Sequence, residues 1–590
     1  MEEELKNFIE SKFRVPVVEG EDKVCSVEEA IRRHVSEGMA ISFGGTSGAL
    51  GYQLIREFWG KRPHFTIISP TISGSLLALI RGSLMKKAVT SFAGNAYPSP
   101  GPNPLVQKAY SSGEVEFENW TMRTIPQRLL AGAMGWGFIP TKSLLGSSME
   151  EENKESFIAM DDPFIQGERI GLLKALNPDI TLIHGVAADR CGNTILTYPL
   201  GGDAFGAWGA KSGVIVSAER IVPTEYIRRH SHLVRVPSYL VRAVCEVPYG
   251  AHPGGMTSFG LPEFEAYFPD YDFMSEVNEA SSDEGEFLRW IEDWILDCKD
   301  HNDYLSKLGK DRLLYLKGKA DSDAWVAETM SEIPRIDFKR QPNSLERMVV
   351  AGGEVVAEKC IAEGYKTVLA GIGFSNLSAW LALDRLKERE YGVDLMAEIG
   401  MYGYLPRPSD PFIFSYHNLP TCKILTNIDT TLGFFTGGSS NRCIGVLGAA
   451  QADKFGNVNS TKIPGKVYFI GSGGSNDIAS TNRETVVVVN SGKERLVERV
   501  SYVTYPGKNV RTLVTDVGIF EKIDGKETFT LTAYIPSGAT QTEEEAIAHI
   551  REKVGWTLDV ASHLKRVQPP TKEEITLLRL FDPKGYFIGS

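Results

Sequence analysis

Apolar and polar positions along this chain follow two rhythms in turn, and their order points to the fold. Asp22 to Glu37 carries Val27, Ala30, Ile31 and His34/Val35 on one face at helical spacing, so a helix is predicted there. Gly38 should end it. Met39-Ala-Ile-Ser-Phe43 is a short apolar run, read as a strand that enters the glycine turn Gly44-Gly-Thr-Ser-Gly48. A second helix should follow. Further strands are expected at Thr66 to Ser69, Asp179 to His184 and Gly213 to Ser217. Strand, glycine turn and helix in repeated succession mark βαβ units around a mainly parallel sheet.

The pattern changes after residue 275. Residues 276 to 344 are acidic, and Phe287, Trp290/Ile291 and Trp294/Ile295 recur at helical spacing. This segment reads as a helical connector that docks by one face. From Leu345 the first grammar resumes. A helix through Val355, Val356, Ala357 and Cys360 ends near Gly364; then come the strand Thr367-Val-Leu-Ala370, the turn Gly371-Ile-Gly-Phe-Ser-Asn376 and another helix. Three regions are therefore expected, 1–275, 276–344 and 345–590, with the first and last as two copies of one α/β fold.

A pair of short segments supports the duplication. Asp189-Arg-Cys-Gly-Asn193 resembles Asp453-Lys-Phe-Gly-Asn457, which lies 264 positions later, with Asp, Gly and Asn in register. D-x-x-G-N is good turn chemistry in its own right. A repeated domain would repeat such a turn.

The bulk numbers narrow the class. A chain of 590 residues is too long for one ordinary core, so at least two domains are expected. The net charge is −12, and no long Lys/Arg run offsets it, so neither nucleic acid nor an anionic membrane is an expected partner. Seven cysteines are scattered without a C-x-x-C pair, which fits reduced thiols rather than a disulfide framework or a zinc site. The first residues are acidic and lack the pattern of a signal peptide, and no apolar stretch approaches a membrane span. A cytoplasmic location is the expectation.

Several segments together resemble the coenzyme A transferases of the glutaconate CoA-transferase type, whose α and β subunits are homologous. Glu37-Gly-Met-Ala-Ile-Ser-Phe-Gly-Gly45 is similar to the N-terminal signature of the family, and Val247-Pro-Tyr-Gly-Ala-His-Pro253 to a segment near the end of α-type subunits. In the second half, Gly371-Ile-Gly373, Ala397-Glu-Ile-Gly400, Leu447 to Asn459, Gly471-Ser-Gly-Gly474, Thr515 to Phe520 and Gly555 to Asp559 resemble β-subunit segments in the same order. The resemblance implies two open three-layer αβα domains with mainly parallel sheets, α-like and β-like copies fused in one chain. It implies CoA and acyl-CoA as substrates, with no metal, flavin or nicotinamide cofactor, and a homodimer or larger homo-oligomer.

It also implies Glu398 as the nucleophile. Moving CoA between carboxylates without losing the thioester needs a carboxylate that forms first a mixed anhydride and then a glutamyl-CoA thioester. An unperturbed glutamate, with a pKa of about 4.3, is ionised at pH 7 and needs no general base. Relatives often carry E-N-G or E-S-G where this chain has Glu398-Ile399-Gly400. Oxyanion and CoA-binding amides are expected from the glycine loops: Gly44, Gly45, Gly371, Gly373, Gly471, Gly473 and Gly474.

Two other readings keep an α/β fold. In a thioester hydrolase or ring-opening hydrolase of the same family, Glu116 or Glu118 would serve as base on water. A non-catalytic binder of sugar phosphate or acyl-CoA would need neither group. His184, His252 and His417 read as structural, since none has a partner at ligand spacing. Arg407, Arg442 and Lys211 are possible anchors for a second carboxylate.

Overall fold

The computed structural model describes residues 1–44, 47–537 and 542–589. In the first half, seven strands matter for the site: β1 (Ala40–Gly44), β2 (Phe65–Ile68), β3 (Met85–Thr90), β4 (Glu116–Asn119), β5 (Ile180–Asp189), β6 (Val214–Val222) and β7 (Val241–Glu246). They lie in the order β4-β3-β2-β1-β5-β6-β7, all parallel. The second half opens with β8 (Thr367–Ala370), β9 (Asp394–Ala397), β10 (Met401–Tyr404), β11 (Cys443–Leu447), β12 (Glu484–Val488) and β13 (Val510–Val514). Its parallel core runs β9-β8-β11-β12-β13. Laid on the first half, this is β2-β1-β5-β6-β7. The two halves are copies of one five-stranded parallel scaffold.

Both faces of each sheet are covered, which is why the strands are apolar throughout instead of alternating. In the second half, Val368, Ala370, Leu395, Ala397, Ile444, Val446, Val486 and Val488 face one core, under the helices Ser344–Glu363, Phe374–Glu388 and Lys572–Phe581. Their strand neighbours Leu369, Met396, Cys443, Leu447 and Val487 face another. Alternate residues thus feed opposite layers. The result is the three-layer αβα arrangement.

The edges of the shared scaffold differ. Beyond β2 the first half adds β3 and β4 in parallel, whereas beyond β9 the second half adds β10 antiparallel. The second half also extends past β13 with two antiparallel strands, Gly518–Glu521 and Thr530–Tyr534.

Local chemistry shifts some boundaries from those read off the sequence. The first predicted helix starts at Val27, because the Ser26 hydroxyl accepts a hydrogen bond from the Glu29 amide and caps it. Residues 22–26 just before it are not helical, and the Cys25 amide donates to the Val244 carbonyl at 3.0 Å. β5 runs on to Asp189 because its small residues Gly185, Ala187 and Ala188 still pair along β6. The helix Ser344–Glu363 ends on Gly364 in the left-handed conformation.

Between the halves the chain is helical: Tyr271–Ala280, Glu284–Ile291, a π turn at Glu292–Leu296, His301–Leu308, Lys310–Lys319 and Ala324–Glu332. Phe287, Trp290, Ile291 and Ile295 are buried in the same core as Ile41, Leu50 and Leu182 of the first half. The first of these helices begins at Tyr271, ahead of residue 276. Among the described residues no helix is long and apolar enough to cross a membrane.

Candidate active site

β9 ends at Ala397, and the chain reverses over Glu398, Ile399 and Gly400 into β10, where Met401 pairs back on Ala397. The reversal is tight. Gly400 has φ +115°, and a Cβ there would lie 2.2 Å from the Thr426 carbonyl, so no other residue fits without moving the neighbouring loop. Ile399 packs against the core of the second half, which gives the apolar middle residue of the turn a packing role.

The Glu398 side chain lies in the seam between the halves. The turn Gly471–Gly474 reaches it from one side and is sewn to the first half. The Ala93 amide donates to the Ile470 carbonyl at 2.8 Å, the Gly473 amide to Ser91 at 2.9 Å, and the Met122 amide to Gly473 at 2.9 Å. The Gly474 backbone lies against the Glu398 carboxylate and favours its charged form. A Cβ on Gly474 would come within 1.8 Å of Glu398 Oε2, so only glycine permits this approach.

Behind Gly474 stands Asp477, fully buried in the first turn of the short helix Ser475–Thr481. Its Oδ1 accepts from the Thr121 and Ser143 hydroxyls, each at 2.6 Å, and its Oδ2 from the Arg123 amide at 3.1 Å. The Arg123 guanidinium lies 3.7 Å from Asp429, beside Gly433.

These neighbours set the charge state. Glu398 keeps a small accessible area, yet its carboxyl is enclosed by protein, and loss of water is the main cause that pushes its pKa up to about 8. The negative charge of Asp477 adds to the rise, and the Gly474 amide opposes it. Burial likewise raises Asp477 to about 6 against the donors from Ser143 and Thr121. Asp429 is also raised to about 6, by burial and by the charge of Asp477, against the pull of Arg123. The sequence expectation was for an unperturbed glutamate; enclosure here shifts Glu398 toward its neutral form.

The other residues singled out by sequence fall elsewhere or are already engaged. Gly44 ends β1 opposite Ile183, and Gly45 lies outside the described residues. The Gly371 amide donates to the Val446 carbonyl at 2.9 Å, and the Gly373 amide to the Asn376 side chain at 2.7 Å. Of the glycines at 471, 473 and 474, the amide that meets Glu398 is that of Gly474; the Gly473 amide is taken by Ser91.

Glu116 and Glu118 sit on β4 beside Lys87 of β3. Glu116 is exposed and pairs with Lys87 at 2.9 Å. Glu118 meets Lys87 at 2.5 Å, Arg128 at 3.0 Å and the Trp120 indole at 2.7 Å. Burial works to raise Glu118, but hydrogen bonds from Lys87 and Trp120 and the charge of Arg128 outweigh it and hold the group below the usual range. That is a poor setting for a base.

The histidines are structural and do have partners. His184 bridges Ser217 and Glu219, His252 bridges Tyr304 and Asp270, and His417 meets Glu328. Among the described residues no cluster of His, Cys, Asp or Glu could hold a metal ion. Lys211 is paired with Asp179, and the Arg407 guanidinium stacks on Trp325.

Arg123, Asp429, Asp477, Thr121 and Ser143 were not foreseen from the sequence. The one available signal was Asn476-Asp477 just beyond the glycine turn, after Ser475.

Comparison with known proteins bears on the fold and the family. The family model described as "Coenzyme A transferase" matches residues 24–247 and 438–541, parts of both halves. One subunit of the glutaconate CoA-transferase of Acidaminococcus fermentans is 27% identical over 311 residues, covering 50% of this chain and 94% of that one. A second subunit of the same enzyme is 33% identical over 170 residues, covering 25% of this chain and 60% of that one. The crystal structure of the Escherichia coli O157:H7 acyl-CoA transferase YdiF, in a thioester complex with CoA, superposes with a TM-score of 0.62. That match is 17% identical and covers 96% of this chain and 97% of that one, so it concerns the fold. With a family match through both copies of the scaffold, the chain belongs to the coenzyme A transferase family.

Proposed function

We propose that the protein moves CoA from an acyl-CoA to a free carboxylic acid by a ping-pong route through Glu398. The observation that carries this reading is the Glu398 carboxyl at the seam of two family-matched halves, with the Gly474 amide directed at it. The ionised carboxylate attacks the thioester carbonyl, and the carbon–sulfur bond breaks to give a mixed anhydride and the CoA thiolate. The thiolate attacks the glutamyl carbonyl, which releases the first carboxylate and leaves a glutamyl-CoA thioester. A second carboxylate reverses both steps.

The Gly474 amide has two uses on this route. Before reaction it holds the Glu398 carboxylate. When the thiolate adds to the glutamyl carbon, the same amide faces the oxygen that takes up charge, which is where an oxyanion donor lowers the barrier. The amides of Gly371, Gly373 and Gly473, already bonded, remain wall and turn; the loops around them are candidates for holding CoA by shape.

The test is to incubate the protein with acetyl-, butyryl- and glutaryl-CoA and weigh the peptide that contains Glu398. A CoA adduct on Glu398, discharged by added short mono- or dicarboxylates, is the expected result. Glu398→Ala should lose transfer by on the order of 10⁴-fold. Full transfer in Glu398→Ala, or turnover to free CoA with no acceptor and no adduct, would overturn the reading.

A further inference from the structure

The Asp477 carboxylate is held mainly from the other side of the seam. The Thr121 and Ser143 hydroxyls donate hydrogen bonds to it at 2.6 Å, and the Arg123 amide donates at 3.1 Å. Asn476, next to it, accepts from the Leu144 amide at 2.9 Å. All of these partners belong to the first half. Asp477 and Asn476 form the opening turn of the helix that follows Gly474, so the first half pins the element that carries the amide beside Glu398. The charged groups facing Asp477 are Glu398, Asp429 and Arg123.

We propose that Asp477 is a positioning residue that ties the reactivity of Glu398 to the docking of the two halves. Thr121 and Ser143 hold its carboxylate, the carboxylate holds the first helical turn, and that turn fixes both the Gly474 amide and a negative charge beside the nucleophile. A half standing alone would lack these donors and would present Gly474 and Glu398 without a fixed relation. The fixed charge makes the Glu398 carboxylate a stronger proton acceptor, hence a less stabilised and more reactive anion once the proton is gone. The proposal rests on Glu398 as nucleophile, and its test keeps the two apart.

The pH dependence of CoA labelling at Glu398 is followed on the full chain between pH 5.5 and 9, with the three acyl-CoA probes named above. The wild-type midpoint should lie near 8. In Asp477→Asn it should fall by about one unit, because a like charge has been removed. A residue that only propped up the helix would lower the extent of labelling and leave the midpoint in place; that result overturns the proposal. Thr121→Val should slow labelling by about tenfold, and Thr121→Ser, which keeps the donor, should stay within about twofold of wild type. Equal losses in both also overturn it.

A second measurement needs no chemistry. Thermal midpoints of Glu398→Gln, Asp477→Asn and the double variant are compared at pH 5.5 and 8.5. If the charges are coupled, the gain from Glu398→Gln at pH 8.5 is smaller in the Asp477→Asn background; strict additivity sinks the proposal. If wild type shows no adduct on Glu398, the transfer reading falls, and this cycle alone decides whether Asp477 acts on Glu398.

Discussion

The two halves share a five-stranded scaffold and differ at one edge strand. In the first half β2 runs into Ser69-Pro70-Thr71, and the next two strands of the sheet are laid down in parallel. In the second half the equivalent strand, β9, runs into Glu398-Ile399-Gly400 and reverses at once. The repeated part builds the frame. The proposed nucleophile, Glu398, lies where one copy departs from the repeat.

A second correspondence can be turned into a sharper contrast. Each half places a short helix before its fourth core strand, Asp203–Gly209 in the first and Ser475–Thr481 in the second, and each helix follows a glycine, Gly202 or Gly474. A Cβ on Gly202 would meet the Pro126 ring at 2.4 Å; a Cβ on Gly474 would meet Glu398 Oε2 at 1.8 Å. Gly474→Ala should therefore displace the carboxylate and lower kcat by about 10²–10³-fold, the usual cost of losing an oxyanion donor. Gly202→Ala should cost about 1–3 kcal/mol of stability through overpacking and leave kcat within a few fold. Steady-state kinetics beside a denaturant titration would separate the two. Equal kinetic losses would mean that the copies do not differ in chemistry at this position.

The next contrast is in pH. Among the described residues the neighbours that shift Glu398, Asp477 and Gly474, belong to the second half, so kcat/KM should follow an ionisation near pH 8 and be about tenfold lower at pH 7 than on the plateau above pH 9. The sign for stability is the opposite. A carboxyl raised from 4.5 to about 8 binds more protons folded than unfolded across that window, so stability falls as pH rises through it. Asp429 and Asp477, raised to about 6, add to the fall at its acidic end. Glu398→Gln should be close to wild type in stability at pH 4 and more stable at pH 8.5, by on the order of a few kcal/mol. A variant with the same pH slope as wild type would show that the carboxyl is not strained by its enclosure.

Much of this was legible in the sequence because it is local. Apolar runs broken by glycine turns announced the parallel sheets, and the repeated D-x-x-G-N turn announced the duplication. Glu398 was singled out by the family resemblance, in which it stands after a strand-like run and before Gly400. The seam was not legible. Thr121, Arg123 and Ser143 look like ordinary loop residues until the halves close and bring them against Asp477, more than 300 positions later in the chain. The charge state was missed for the same reason, since enclosure is a tertiary property. Glu118 illustrates the converse: an acidic residue in a suggestive segment is tied up by Lys87 on the neighbouring strand, and by Trp120 and Arg128 two and ten positions on.

The last contrast tests the duplication itself. Asp189 and Asp453 are fully buried and fold their turns in the same way. Asp189 Oδ1 accepts from the amides of Cys191, Gly192 and Asn193, while Oδ2 accepts from the Asn193 side chain and the Thr224 hydroxyl. Asp453 Oδ1 accepts from the amides of Phe455 and Asn457, and Oδ2 from the Asn457 side chain at 3.0 Å and the Val500 amide at 3.3 Å. Each carboxylate replaces water for several buried donors, so Asp189→Ala and Asp453→Ala should each cost about 2–3 kcal/mol in a denaturant titration. Asp189 has the extra donor and the shorter bonds, and its loss should cost slightly more. Neither turn touches Glu398, so kcat of the folded fraction should be unchanged in both. If one substitution is costly and the other is neutral, the turns are alike in shape but not in what they hold. The repeat would then be a resemblance of backbone rather than of energetics.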